Sequence, residues 1–318
     1  TAFMSNAGDG PGERLGRARV GFEIAGRRIA LGETRDLALE VARNASGRPI
    51  SLPFRVWRAP EPGPTVFVVG AVHGDELNGT GIVRSLMLDA PFALRRGSLV
   101  LVPVANILGF EDRSRYLPDR RDLNRSFPGS ADGSLAGRMA HTLFREIVAK
   151  CDAGIDLHTA AVGRTNYPNI RADVADPWTA RLARAFGSPL IVTGPGPAGS
   201  LRQAAVAAGV PTIVLEAGEG WKVEPSVVAY GVQGVANVLA DLGMVDAPPS
   251  TPPFQAEITR TTWVRAAQGG FLRFHVGPGD LVEAGQPIAT NADLLGHPVE
   301  VLTAPDGGVV LGMSTLPV

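Results

Sequence analysis

Four side chains of the types that bind metals or move protons stand where buried strands are expected to end. His73 and Glu76 follow the apolar run VFVVGAV, His158 follows GIDL, and Glu216 comes at the end of TIVL. Because the carboxyl ends of parallel strands meet at one edge of an open sheet, we expect these four groups to lie close together.

Two imidazoles and two carboxylates are the set that a hydrolytic zinc site uses. Two neutral imidazoles and one carboxylate hold the ion and leave a position for water, whose pKa zinc lowers from about 15.7 to roughly 7. A second carboxylate can then take a proton and pass one to a leaving amine. His73-x-x-Glu76 alone is a short pattern that recurs by chance, so the prediction depends on all four residues.

The elements that must position these residues alternate between strands and helices. Apolar strands are predicted at 65–72, 98–106, 154–157, 189–194 and 211–218, with helices near 79–90, 134–150, 176–187, 200–209 and 225–242. Apolar strands linked by helices indicate an α/β fold, a mixed, mostly parallel sheet with helices on both faces. Alternating residues over 21–58 predict an antiparallel pair at a sheet edge.

The residue pattern changes after the Pro-rich stretch MVDAPPSTPPF. Residues 255–318 consist of short β-prone runs separated by QGG, GPGD, EAGQ and PDGG, which predicts a small C-terminal all-β, barrel-like domain. We therefore expect a flexible N-terminal segment over 1–20, a catalytic domain over 21–245 and the β domain over 255–318.

Composition excludes several classes of partner. Lys and Arg number 30 against 31 Asp and Glu, so no overall charge attracts nucleic acid or an anionic membrane. No apolar run reaches the roughly 18 residues of a membrane helix, and residues 1–20 do not resemble a signal peptide. Cys151 is the single cysteine, which excludes an intrachain disulfide and fits a reducing compartment. We expect a cytoplasmic protein.

Four motifs in order, GAVHGDELNG, RDLNRSFPG, GIDLHTA and IVLEAG, resemble the succinylglutamate desuccinylase/aspartoacylase family, relatives of the zinc carboxypeptidases. The resemblance spans about residues 65–220 and implies a zinc carboxypeptidase-like fold. It also implies one Zn²⁺ per chain, with His73, Glu76 and His158 as ligands and Glu216 as the catalytic acid/base.

The same resemblance implies roles for the RDLNR segment. Asn124 and Arg125 match the pair that grips the substrate carboxylate in the family, and a guanidinium can fork onto a carboxylate with two parallel hydrogen bonds. Family members place a further arginine upstream, which polarises the scissile carbonyl. Arg115 is the favoured match, with Arg120 and Arg121 as alternatives.

Three nearby residues have open interpretations. Asp75 either orients His73 through its second nitrogen or caps the following helix. Asp156 is placed to contact His158 if the strand extends that far, and the sequence does not decide it. Arg171 could reach a substrate, but a structural role is the favoured interpretation.

The C-terminal run GGFLRFHVGPGDLVEAGQPIAT resembles the hammerhead barrels of biotinyl and lipoyl carrier domains. Those carriers attach a cofactor to a lysine, and residues 223–318 contain none. A swinging-arm role is therefore excluded, which leaves covering the active site or mediating homo-oligomerisation.

Taken together, the residues predict a zinc-dependent amidohydrolase that removes an acyl group from an N-acyl amino acid or a related small carboxylate. A zinc carboxypeptidase acting on short peptides and a small-molecule esterase need the same ligands and stay open as alternatives. A metal-binding protein without catalysis is a third alternative.

Overall fold

A ten-stranded mixed sheet forms the centre of the molecule in the computed structural model, which describes residues 21–246 and 250–318. The predicted flexible segment 1–20 lies outside the described residues. Residues 21–220 form ten strands: β1 (Phe22–Ile24), β2 (Arg27–Ile29), β3 (Thr34–Arg43), β4 (Pro49–Arg58), β5 (Glu61–Gly70), β6 (Arg96–Val102), β7 (Ala153–His158), β8 (Arg164–Ala172), β9 (Leu190–Thr193) and β10 (Thr212–Glu219).

Helices alternate with these strands, and shorter strands follow. The helices are α1 (Leu77–Asp89), α2 (Ile107–Glu111), α3 (Leu135–Glu146), α4 (Pro177–Phe186), α5 (Leu201–Ala207) and α6 (Pro225–Asp241), with 3₁₀ turns at Leu123–Arg125 and Val148–Lys150. The remaining strands are β11 (Ala256–Ile258), β12 (Phe271–Phe274), β13 (Leu281–Val282), β14 (Pro287–Ala292), β15 (Pro298–Thr303), β16 (Gly308–Val309) and β17 (Gly312–Ser314). No helix in the described ranges is long and apolar enough to cross a membrane.

The main sheet runs in the order β11-β9-β8-β10-β7-β5-β6-β4-β3, with β17 added beside β8. Strands β6, β5, β7 and β10 are parallel neighbours at its centre. The hairpin β3–β4 forms one edge, which confirms the antiparallel pair predicted over 21–58.

Helices cover both faces of this sheet, as predicted. Successive residues of β5 point to opposite faces, so that Phe67 belongs to one hydrophobic core and Val68 to the other. Helices α3 and α5 pack in the first core, whereas α1, α4 and α6 pack in the second. The α/β fold class is confirmed.

Strand β8 was missed in the sequence because RTNYPNIRA is polar and contains a proline. On one side of β8 the neighbouring strand is β17 before Pro168 and β9 after it. On the other side, the pairing with β10 shifts register at the same place. A residue without an N–H is tolerated at such an irregularity. The consequence is an antiparallel neighbour for β10, directly beside Glu216.

The C-terminal region is all-β, as predicted, and its strands β12 to β16 pair antiparallel. They form a three-stranded sheet, β12-β14-β15, and a two-stranded pair, β13-β16. The strands before and after them, β11 and β17, instead join the main sheet through β9 and β8. The division into two domains stays a prediction.

Candidate active site

The turn between β5 and α1 places His73 and Glu76 at the carboxyl edge of the sheet. Two glycines allow this turn to lie close to the strands, because a Cβ atom at Gly70 would come within 2.7 Å of the Gly79 carbonyl carbon. His158 ends β7, the parallel neighbour of β5. The three side chains therefore meet at one edge although 82 residues separate Glu76 from His158.

The ligating atoms of His73, Glu76 and His158 all lie within 4.8 Å of one another, and all three residues are buried. Nδ1 of His73 is 2.7 Å from Glu76 Oε1, and Nδ1 of His158 is 2.8 Å from Glu76 Oε2. Two imidazole nitrogens and a carboxylate oxygen are the donors that Zn²⁺ takes from proteins. This donor set fits the predicted ion.

The other nitrogen of each imidazole contacts an aspartate. Nε2 of His73 is 3.1 Å from Asp122 Oδ1, and Nε2 of His158 is 2.9 Å from Asp156 Oδ2. Such contacts fix the ring orientation and leave Nδ1 to face a metal. Asp122 was missed in the sequence, although its position two residues before Asn124 in RDLNR was a usable signal.

Asp75 takes neither of the two roles considered for it. Its side-chain oxygen Oδ1 is buried without a hydrogen-bond partner among the described residues, and the N-cap position of α1 is Glu76. Burial, together with the charge of Glu76, raises the pKa of Asp75. Its carbonyl oxygen accepts a hydrogen bond from the backbone N–H of Trp221, which connects the turn at Trp221 to the site.

Opposed charges dominate the electrostatics of this cluster. Burial lowers the pKa of both imidazoles, but Glu76 and the two aspartates outweigh it, so the pKa of His73 is raised and that of His158 is raised well above its usual value. Burial raises the pKa of Glu76, yet the two imidazoles hold it well below its usual range. The imidazoles and the Glu76 carboxylate thus favour opposite charges on each other.

Arg115 lies beside this cluster. Its guanidinium donates to Glu76 Oε1 at 3.3 Å and to Asp122 Oδ2 at 3.1 Å. The two alternatives lie elsewhere: Arg120 and Arg121 are exposed and do not line the cavity that contains the cluster. Of the three arginines considered, the structure brings Arg115 to the candidate metal ligands.

Asn124 and Arg125 lie in the 3₁₀ turn that Asp122 caps, and both line the same cavity. Asn124 Oδ1 accepts a hydrogen bond of 2.8 Å from the Leu201 N–H, which leaves the amide hydrogens as the donors that a carboxylate would accept. Arg125 donates to the Asn124 carbonyl at 2.7 Å.

Glu216 faces the cavity from β10, the parallel neighbour of β7. Asn166 Nδ2 donates to its Oε2 at 3.0 Å, and Arg171 Nε lies 3.5 Å from its Oε1. Arg171 thus lines the cavity and forms an ion pair with Glu216, and the structural role favoured for it in the sequence stays a prediction. Asn166 was missed because strand β8 was missed.

The cavity that these residues line has a volume of about 400 Å³, within the range of small-molecule sites. Arg202 and Trp263 also line it, and neither was singled out in the sequence. Arg202 is buried and donates to the Gly194 carbonyl at 2.7 Å. The Trp263 ring reaches the cavity from the segment between β11 and β12 and stacks against the Arg164 guanidinium, 5.0 Å from the ring centroid.

Known proteins match this chain along most of its length. A curated relative, the N-alpha-acetyl-L-2,4-diaminobutyric acid deacetylase of Halomonas elongata, is 29% identical over 273 residues, which cover 81% of this chain and 80% of the relative. A succinylglutamate desuccinylase/aspartoacylase structure from Rhodobacter sphaeroides superposes with a TM-score of 0.76 at 24% identity, over 90% of this chain and 91% of that one. A succinylglutamate desuccinylase structure from Silicibacter sp. TM1040 gives 0.78 at 22%, over 91% and 93%.

The two structures share the fold at low sequence identity and so support the carboxypeptidase-like architecture alone. The family is shown by a separate match, because the model of the succinylglutamate desuccinylase/aspartoacylase catalytic domain covers residues 62–242. That range contains every candidate ligand together with Glu216, Arg115, Asn124 and Arg125. The chain belongs to the succinylglutamate desuccinylase/aspartoacylase family, a family of deacylases.

Proposed function

We propose that this protein is a zinc-dependent amidohydrolase that cleaves the amide bond of a small N-acyl amino acid or a related N-acyl carboxylate. The observation that carries the proposal is the meeting of His73, Glu76 and His158 in a cavity that also presents Glu216 and Arg125. The name of the Halomonas relative, a deacetylase of an N-acetyl amino acid, supports the same class of reaction.

One Zn²⁺ held by His73, Glu76 and His158 would supply a Lewis acid that polarises an acyl oxygen and favours ionisation of water. Glu216 takes the proton of the attacking water and returns it to the amine nitrogen as the carbon–nitrogen bond breaks, which yields a free acid and a free amine. The Arg115 guanidinium stabilises the negative charge that develops on the acyl oxygen.

Asn124 and Arg125 hold the substrate carboxylate and so place the scissile bond. A guanidinium and an amide offer parallel N–H donors, which suit a planar carboxylate better than a single point charge. We propose in addition a cytoplasmic location, on the basis of the single cysteine, and assembly as a homo-oligomer.

The proposal is tested by measuring amine release from N-acetyl, N-succinyl and longer N-acyl amino acids, with dipeptides and simple esters alongside. Each assay is run on zinc-loaded protein and on protein treated with a chelator. Metal-dependent cleavage of one N-acyl class supports the deacylase. Cleavage of dipeptides alone, or of esters alone, would establish one of the rival hydrolases, and no turnover on any compound would favour a non-catalytic metal protein.

The Arg125→Ala variant tests the carboxylate grip on the same panel. We expect KM to rise at least about tenfold for substrates that carry the carboxylate, since a charge-assisted hydrogen-bonded pair contributes roughly 1.5–3 kcal/mol. Substrates in which that carboxylate is amidated should be affected little. An equal rise for both kinds of substrate would remove the argument for this role.

A further inference from the structure

In the described part of the chain, the hydrogen bond and the ion pair to the Glu216 carboxylate both come from one neighbouring strand, β8. Asn166 Nδ2 lies 3.0 Å from Oε2, and this is the one side-chain hydrogen bond to that carboxylate within residues 21–246 and 250–318. Arg171 approaches Oε1 at 3.5 Å, an ionic contact in which the buried Nε forms no hydrogen bond with any described residue. Asn166 is therefore the group that fixes the direction of the carboxylate, whereas Arg171 supplies charge.

A register shift between β8 and β10 brings Asn166 to this position. Glu216 pairs with Asn169, but Gly218 pairs with Asn166, so that three steps along β8 match two steps along β10. The extra residue is typical of a β-bulge, which bends a strand and redirects a side chain. It allows the Asn166 amide to reach back to Glu216 although the two residues are not paired.

The other side of Asn166 is occupied by the C-terminal strand β17. Gly312 pairs with Asn166, and a Cβ atom at Gly312 would lie 2.6 Å from Asn166 Oδ1. The absence of a side chain at Gly312 therefore leaves the space in which the Asn166 amide lies. The C-terminal part of the chain thereby supports a side chain that touches Glu216.

We propose that Asn166 is the positioning residue for Glu216 and that β17 holds Asn166 in place. This inference rests on the proposed function, in which Glu216 moves the protons. A glutamate has three rotatable side-chain bonds, and one hydrogen bond to a strand-held amide removes much of that freedom. Because misplacement of a reacting group by about 1 Å can cost a hundredfold in rate, a fixed carboxylate favours turnover.

The ranking of two Asn166 variants tests the inference. Asn166→Ala removes the donor, and we expect kcat to fall about tenfold to a hundredfold with KM and zinc content unchanged. Asn166→Asp keeps the shape of asparagine but replaces the donor with a repelling carboxylate, so its kcat should fall below that of the alanine variant. A role in packing alone would give the opposite order, because aspartate fills the same space.

The control is Thr165→Ala, on the adjacent residue of β8, which also pairs with β17 and does not line the cavity. It should keep the parental kcat and KM. An Asn166→Ala enzyme with parental kcat, or an aspartate variant more active than the alanine variant, would overturn the inference. If the aspartate variant does not fold, Asn166→Leu replaces it: a kcat as low as that of alanine supports the inference, and a restored kcat overturns it.

A crystal structure of Asn166→Ala separates this inference from the proposed function. We expect the Glu216 carboxylate to leave its present position or to occupy several positions, while the backbone of β10 stays in place. A Glu216 side chain unchanged in position would overturn the inference whatever the turnover. Failure of the parental protein to cleave any N-acyl compound would instead count against the proposed function alone.

Discussion

Each candidate ligand imidazole is held at both nitrogens, with Nδ1 directed to Glu76 and Nε2 to an aspartate. The aspartate beside His73 is also tied to the rest of the site, because Asp122 accepts hydrogen bonds from Arg115 and from the Asn124 backbone. Asp122 therefore links the metal-ligand group with the segment proposed to bind the carboxylate. Burial raises its pKa, but His73 and Arg115 hold it well below its usual range.

Asp122→Asn is expected to weaken zinc binding about tenfold to a hundredfold, the usual effect of losing a carboxylate partner of a ligand histidine. Competition with a chromophoric chelator measures the change. Asp112→Asn is the control, since Asp112 is exposed and lies in the preceding loop. Equal zinc affinities for the parental protein and Asp122→Asn would contradict the role given to Asp122.

Glu216→Gln is expected to lower kcat by about a hundredfold to ten-thousandfold, because the amide cannot accept the proton. Zinc content should not change, since Glu216 is not among the residues that meet within 4.8 Å. Glu219→Gln is a matched control on the same strand, where the Glu219 carboxylate forms an ion pair with Lys222 and accepts a hydrogen bond from Thr315. A near-parental rate for Glu216→Gln would remove the proton-transfer role.

At the scale of elements, α1 must lie very close to the strand ends for Glu76 to reach both histidines. Gly79 allows this approach, because a Cβ atom there would lie 2.7 Å from the Leu157 carbonyl oxygen and 2.9 Å from its Cβ. Both of these Leu157 atoms belong to β7, the strand that ends in His158. Helix and strand could separate only by moving the candidate ligands apart.

Gly79→Ala is expected to destabilise the protein by about 1–3 kcal/mol, because overpacking outweighs the better helix propensity of alanine. It should also weaken zinc binding. Gly137→Ala, in α3, is the opposite case: among the described residues its new Cβ would meet only Ser134 Oγ, at 3.5 Å. That variant should gain about 0.5–1 kcal/mol.

Urea unfolding of the metal-free proteins gives both free energies. A Gly79→Ala protein as stable as the parent would show that the helix and strand can shift without cost.

At the scale of the whole molecule, the candidate ligands connect parts of the chain that are far apart in sequence. His73 and Glu76 follow β5, whereas His158 ends β7. An ion bound by all three would bind the folded state and not the unfolded chain. Binding of this kind stabilises a protein by about 2.7 kcal/mol when the free ligand is a hundredfold above its Kd.

Addition of zinc should therefore raise Tm by several degrees, and a chelator should reverse the rise. His158→Ala should abolish the shift. His275→Ala should keep it, because His275 lies in the region of the C-terminal strands and contacts Thr290. A zinc-dependent shift that survives His158→Ala would place the ion elsewhere.

The zinc-dependent shift should shrink as the pH falls. In the metal-free protein the raised pKa values of His73 and His158 mean that folding favours their protonated forms. That ionic stabilisation is present at low pH and is lost as the pH rises through the folded-state pKa values. Zinc requires the neutral rings, so its contribution grows over the same rise. Differential scanning fluorimetry with and without zinc at several pH values measures this, and a constant shift would contradict it.

The sequence alone was sufficient for the α/β class, the edge hairpin and the meeting of His73, Glu76, His158 and Glu216. Apolar runs and helical periodicity are local signals, and parallel strands necessarily bring their carboxyl ends to one edge. Four motifs in order were also sufficient for the family, which the match over residues 62–242 confirms.

Only the tertiary structure decided which further side chains reach those four. Strand β8 has a polar sequence with a proline, so its place beside β10, and with it the contact from Asn166 to Glu216, depends on pairing between distant segments. The same holds for Asp122 on His73 and for Trp263 at the cavity. These contacts join residues far apart in the chain, and a local pattern of residue types does not predict which distant side chains meet.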